Sequence, residues 1–260
     1  MDISQQADAL NKAMEDDVPK IKSAPQPVVE LIRGVLNKET DVWETNALVR
    51  ELNGFDEEAI ASIDSRKMVY PEFMSFLLKR AVVKIGTIEV ADNPSIIDQL
   101  IIGDRDLLFL GVIEATYGKT REYQVTCRAC GSSNDVFVSM DEFKRKEATF
   151  DVREHLSVEL SNGTTVKLRL PVGFDSQHVA KKAKTTAEQN TLMIARCLIA
   201  DKGVNVEEWA KSLNLKDRAL VIKTLMENQP GPEIGEVNAQ CATCGEDLNI
   251  VLDWASLLFS

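Results

Sequence analysis

Histidine is nearly missing from this sequence: its 260 residues hold two, His155 and His178. Neither falls in a His-Glu-x-x-His or triad pattern, so imidazole chemistry has no anchor and both are read as surface or packing residues. A basic excess is lacking too. Thirty Lys and Arg stand against forty-one Asp and Glu, a net charge of -11, and this mean field repels nucleic acid phosphates and anionic lipid. Residues 1–65 hold fourteen acidic and six basic side chains, so the N-terminal quarter carries most of the excess. No apolar run approaches the roughly 18 to 20 residues of a membrane span. The opening, MDISQQADALNKAMEDD, has neither the basic nor the apolar region of a secretory signal, and a cytosolic setting is expected. A complete phosphate-binding glycine loop is also absent: Gly103-Asp104 and Gly118-Lys119-Thr120 lack its spacing and read as helix ends. Carboxylates are plentiful, but no pair separates from solvated helix faces as an acid–base dyad. No catalytic residue is nominated, and the chain is read as a non-enzyme.

What the chain does have is cysteine in a pattern. Four of its five cysteines lie in CRACGSSNDVFVSM and CATCGEDLNIVLDW, which share Cys-x-x-Cys-Gly, a polar turn and an alternating strand. Two residues between cysteines let both sulfurs face one ion while turn amides donate to them. Gly131 and Gly245 supply the positive φ that turns the chain back. Cys127, Cys130, Cys241 and Cys244 are therefore the candidate ligands of one structural Zn2+ per chain. A closed four-sulfur shell leaves no position for water or substrate, so the ion holds structure. Such sites contribute roughly 10 to 16 kcal/mol, comparable to the whole net stability of a typical domain, about 5 to 15 kcal/mol. Iron and a dithiol redox pair are the alternatives. Cys197, on the apolar stripe of LMIARCLIA, is read as core.

The expected fold class is α+β: a mostly helical N-terminal half, then a split four-cysteine zinc ribbon of two knuckle hairpins with an inserted β-hairpin and helical subdomain. The expected organisation is an acidic arm and hinge over 1–27, a helical region over 28–120, the ribbon over 121–145 and 236–260, and the insert over 146–235. The helical reading of 28–120 rests on the stripes Val28, Val29, Leu31, Ile32, Val35, Leu36 and Val42, Leu48, Val49, Leu52. Pro71 and Asn93-Pro94 start later helices, and Asp104 is read as the cap of RDLLFLGVIEATY, ended by Gly118. From Glu122 the period falls to 2, and Asn162-Gly163 marks a second hairpin. Val206 to Asn228 reads as a helical pair with a seam of Trp209, Leu213, Leu220 and Leu225. Its few basic residues argue against a DNA-reading helix-turn-helix. No solenoid period is visible.

The order of these features resembles a known family. An aspartate-bearing helix, LIIGDRDLLFLGVIEATYG, runs into a strand and the first knuckle; a hairpin, a proline turn and helices follow; a second knuckle closes the chain. Over roughly Pro94 to Trp254, and most specifically in Asp104, Arg105, Leu108, Tyr117-Gly118 and the four cysteines, it is similar to the baseplate hub protein family of T-even-type contractile-tailed bacteriophages, the phage base plate proteins. The resemblance implies a hub component or hub assembly factor, in the virion tail baseplate or in host cytoplasm during assembly. It implies no catalysis. Its partners are then other tail and baseplate proteins (hub, tube or spike), with no membrane or nucleic acid partner expected and homo-oligomerisation open. The competing reading is a nucleic-acid- or polymerase-associated zinc-ribbon factor.

Overall fold

The chain begins with strands where helix was expected. A computed structural model describes residues 26–64 and 67–259; the acidic arm expected over 1–27 lies, but for its last two residues, outside the described residues. β1 (Val28–Asn37) and β2 (Val42–Val49) form an antiparallel hairpin, extended by β3 (Val82–Ile85) and β4 (Ile88–Glu89) into a four-stranded sheet. The helical reading of 28–120 is thus overturned at residues 28–49 and again at 82–89, where β3 and β4 extend the sheet; for the first hairpin the cause is local. Register is lost between Glu30 and Val35, where β1 carries more residues than the facing stretch of β2. This bulge replaces strict alternation by burial of Leu31 and Val35, four positions apart, which imitates a helical stripe. Gly34 sits in it at φ +70°, where a Cβ would strike the Glu44 carbonyl.

The bulge frees three amides, and one carboxylate takes them all. Asp104 Oδ1 accepts from Ile32 N (2.6 Å), Oδ2 from Gly34 N (2.8 Å), and Arg33 N lies within 3.3 Å of both oxygens. Asp104 is not the cap expected of it: its helix runs Ile102–Tyr117 after an N-cap at Ile101, placing Asp104 inside the first turn. Burial raises its carboxyl pKa, although the Gly34, Ile32 and Arg33 amides act in the opposite direction.

The rest of the chain follows one plan twice. After the first hairpin come α1 (Gly54–Ala61), α2 (Tyr70–Ala81), β3, a 3-10 turn (Pro94–Gln99), α3 (Ile102–Tyr117) and the first knuckle, β5 (Thr120–Thr126) and β6 (Ser133–Ser139). After a short β7 (Lys144–Lys146) the order recurs. The hairpin β8 (Leu156–Glu159) and β9 (Thr165–Leu168) leads to α4 (Gly173–Lys182), α5 (Thr186–Cys197), β10 (Leu198–Ile199), α6 (Val206–Ser212) and α7 (Leu215–Glu227). β11 (Gly231–Glu233), which pairs with β7, leads to the second knuckle, β12 (Glu236–Gln240) and β13 (Asp247–Val251). A last helix, α8 (Trp254–Phe259), was not anticipated, although Asp253 caps it by accepting from Ser256 N (2.7 Å).

The two halves repeat several of their polar interactions. Arg50 grips Asp56 with both guanidinium nitrogens (2.6 and 3.0 Å), as Arg169 grips Asp175 (2.6 and 3.0 Å). Each aspartate also accepts from the amide three residues before it, Asn53 or Val172, and from a second arginine Nε, Arg80 or Arg196. Burial alone would raise these carboxyls, but the paired guanidiniums hold Asp56 and Asp175 below the usual range. Further on, Arg105 donates to Ser75 Oγ (2.8 Å), Pro71 O and Ile97 O, and Arg218 to Thr191 Oγ1 (2.9 Å), Ala187 O and Ala210 O. Asp104 and Asp217, each preceding that arginine, turn back to the first hairpin of their own half, Asp217 onto Ser161 (2.9 and 2.7 Å).

Two apolar clusters match this plan. One joins the first sheet and its helices to both knuckles; α3 lies buried almost all round in it, and Phe109 meets Trp254 edge to face at 5.0 Å. The other gathers β8, β9 and α5 to α7. Val206 to Asn228 is the helical pair foreseen, although Leu220 faces outward instead of into its seam. Asp104→Ala should leave one buried and two half-buried amides without their acceptor and lower stability by about 3 kcal/mol. Denaturant unfolding measures this, and Asp104→Asn, which keeps one acceptor oxygen, should lose less.

Candidate metal centre

Each knuckle is built the same way around its cysteines. In the first, the Cys127 amide donates to Ser132 O (2.8 Å) and the Gly131 amide to Cys127 O (2.9 Å); in the second, Cys241 N donates to Glu246 O (2.8 Å) and Gly245 N to Cys241 O (2.8 Å). Gly131 and Gly245 stand at φ +74° and +75°, the left-handed turn expected of them. The first cysteine of each pair is buried and the second exposed. Every loop thus lifts two sulfurs toward the space between the knuckles.

The structure brings together all four cysteines singled out in the sequence. Their sulfurs lie within 4.8 Å of one another. Cys127 Sγ is 3.8 Å from Cys244 Sγ, and Cys130 Sγ is 3.7 Å from Cys241 Sγ. A tetrahedron of metal–sulfur bonds of about 2.3 Å has edges of about 3.8 Å. The closest pairs therefore fit a tetrahedral thiolate shell that could hold one metal ion. Cys197 is buried at the end of α5, where burial pushes its thiol up to about 12, as befits an inert core side chain.

The surroundings prepare the sulfurs unequally. The Ser132 hydroxyl lies 3.0 Å from Cys130 Sγ and 3.1 Å from Cys241 Sγ. With the Cys244 and Thr243 amides it holds the Cys241 thiol down to about 5. The Glu246 amide lowers Cys244 as well, but the contact with Cys130, burial and the other sulfurs outweigh it and raise that thiol to about 12. Four thiolates this close would repel one another, a charge that a bound cation could neutralise. Asn134, buried beneath the turn, locks the knuckles together: its Oδ1 accepts from Ala242 N (3.0 Å) and its Nδ2 donates to Ser132 O (3.1 Å). No spacing rule marks Asn134 or Ser132, and sequence reasoning missed both. Neither histidine joins the cluster.

Arg121 and Tyr117 anchor the ribbon at its far end, donating to the carbonyls of Leu257 (2.9 Å) and Leu258 (2.9 Å), with the guanidinium 4.0 Å over the Tyr117 ring. Among the described residues no helix is long and apolar enough to cross a membrane.

The family model described as T4 bacteriophage base plate protein matches residues 59–259, which takes in both knuckles, α3 and the whole second half. No curated protein and no solved structure matches.

Cobalt(II) added to the reduced chain should give the intense thiolate-to-metal absorption of a tetrahedral four-sulfur site. Cys241→Ser should weaken uptake by more than about a hundredfold, beyond the roughly 10- to 100-fold cost of losing an outer partner such as Asn134. Uptake unchanged in the serine variant would contradict this assignment.

Proposed function

The chain belongs to the T4 bacteriophage base plate protein family, and from that membership we propose that it is a non-enzymatic component or assembly factor of the baseplate hub, stapled by one structural zinc. The match over residues 59–259 carries this reading. The chemistry of the cluster supports it: four sulfurs form a closed donor set with no position for substrate, so the ion holds the knuckles and activates nothing. Zinc is preferred because a tetrahedral all-thiolate site of matched Cys-x-x-Cys turns suits an ion without redox or geometric demands of its own.

In this role Cys127, Cys130, Cys241 and Cys244 are ligands, Ser132 and Asn134 orient them, and Asp104 with Arg105 fixes the helix that feeds the first knuckle. The partners are other tail and baseplate proteins, met in the host cytoplasm during assembly or in the virion. The acidic surface, net -11, keeps the chain off nucleic acid by repulsion.

Two measurements test the reading. Elemental analysis of the native chain should give one zinc per polypeptide; iron or an absence of metal would defeat the zinc assignment alone. Mass spectrometry of purified particles and of tail-assembly intermediates should find the chain in at least one of them, and finding it in neither would defeat the baseplate role.

A further inference from the structure

The two halves meet through a contact that only one of them completes. α4, in the second half, docks on the first half between α2 and the 3-10 turn. Gln177 Nε2 donates to Ser75 Oγ (2.7 Å) and Asp98 Oδ1 (2.8 Å), and Lys181 pairs with Glu72. The Gly173 amide donates to Leu100 O (3.1 Å), and a Cβ on Gly173 would overlap the Arg105 guanidinium. This face of α4, Gly173, Gln177, Ala180 and Lys181, is the plug, and α2 with the 3-10 turn is the socket.

By the repeated plan the second half has its own socket and the first half its own plug. The socket lies at α5 and α6, with Glu188, Thr191 and Lys211 at the places of Glu72, Ser75 and Asp98. There the second half has an open groove of about 440 Å³, which Lys182, Lys184 and Leu192 also line. The plug is α1, with Gly54, Glu58 and Ala61 at the places of Gly173, Gln177 and Ala180. All three are exposed, and Gly54 has open space where its counterpart Gly173 is pressed against Arg105. Phe55 beside them is 77% exposed, against 42% for its counterpart Phe174. The polar pair has changed in concert. Where Gln177 meets Asp98 within the chain, Glu58 is matched with Lys211, opposite charges that have no ion-pair partner among the described residues. The acidic face of α1, with Glu57 and Glu58, meets a groove whose Lys182, Lys184 and Lys211 outnumber its Glu188 and Glu207 by one, and it is Lys211 that the repeat sets opposite Glu58.

We propose that α1 of one chain docks into the α5–α6 groove of a second copy of this chain, continuing between molecules the contact that α4 makes within one. The contact is heterologous: plug and socket are different surfaces, so each added copy leaves one of each free until a ring closes. The inference stands on the internal repeat and does not depend on the baseplate reading.

The test is sedimentation velocity on the full chain from micromolar to millimolar concentration. The wild type should rise from the 28.9 kDa of a single chain toward its multiples. Glu58→Lys and Lys211→Glu each place like charges in the contact and should weaken association by at least about tenfold. An equimolar mixture of the two variants should associate again, since every contact between unlike chains regains opposite charges. That recovery also shows that both variants are folded. A wild type that stays a single chain at every concentration, association unaffected by either reversal, or a mixture that does not recover would each overturn the proposal.

Discussion

Four sulfur atoms, supplied in pairs by the two halves of one chain, converge within 4.8 Å, and the placement of both knuckles follows from that. Cys130 and Cys241 are 111 positions apart in sequence, so bringing them together closes a long loop whose entropic cost must be met by what the junction gains. The knuckle hairpins are two-stranded and could not stand alone in water. They are held by their shared cluster and by the apolar core of the first half, into which Val138, Leu248 and Leu252 are buried.

Each half is held by carboxylates more than by the length of its strands. Asp56 and Asp175 each gather two arginines and the amide of a helix start, and Asp104 gathers the amides of a bulge. Burying a carboxylate costs several kcal/mol unless its lone pairs are filled, and here each one is satisfied from more than one element. Such groups tie a hairpin, a helix start and a later helix into one arrangement. The same plan in both halves brings the same chemistry to two knuckles, and two knuckles make one four-sulfur site.

The knuckles were legible because their requirements are local: two residues between sulfurs, a glycine at the turn, then an alternating strand. The helices were legible for the same reason, through Pro71 at the start of α2, Gly118 after α3 and the stripe of α5. The first hairpin was not. Its bulge sets Leu31 and Val35 four apart, and the residue that stabilises the bulge, Asp104, lies some seventy positions away. The repeat escaped notice because its surviving signature is thin. Arg-x-x-x-Gly-Phe-Asp, Asp-Arg and Cys-x-x-Cys-Gly each occur in both halves, yet the side chains between them differ, since a core accepts many apolar combinations of suitable volume.

By itself the sequence determined the helices α2, α3 and α5 and the two matched cysteine turns, because periodicity, turn geometry and cysteine spacing are properties of a few neighbouring residues. The tertiary structure alone decided that residues 28–49 are strands, that Asp104 serves a bulge instead of a helix end, that Asn134 ties one knuckle to the other, and that the chain is one unit built twice. Each of these rests on partners distant in sequence, and a hydrogen bond or a burial pattern between distant segments exists only once the chain has brought them together.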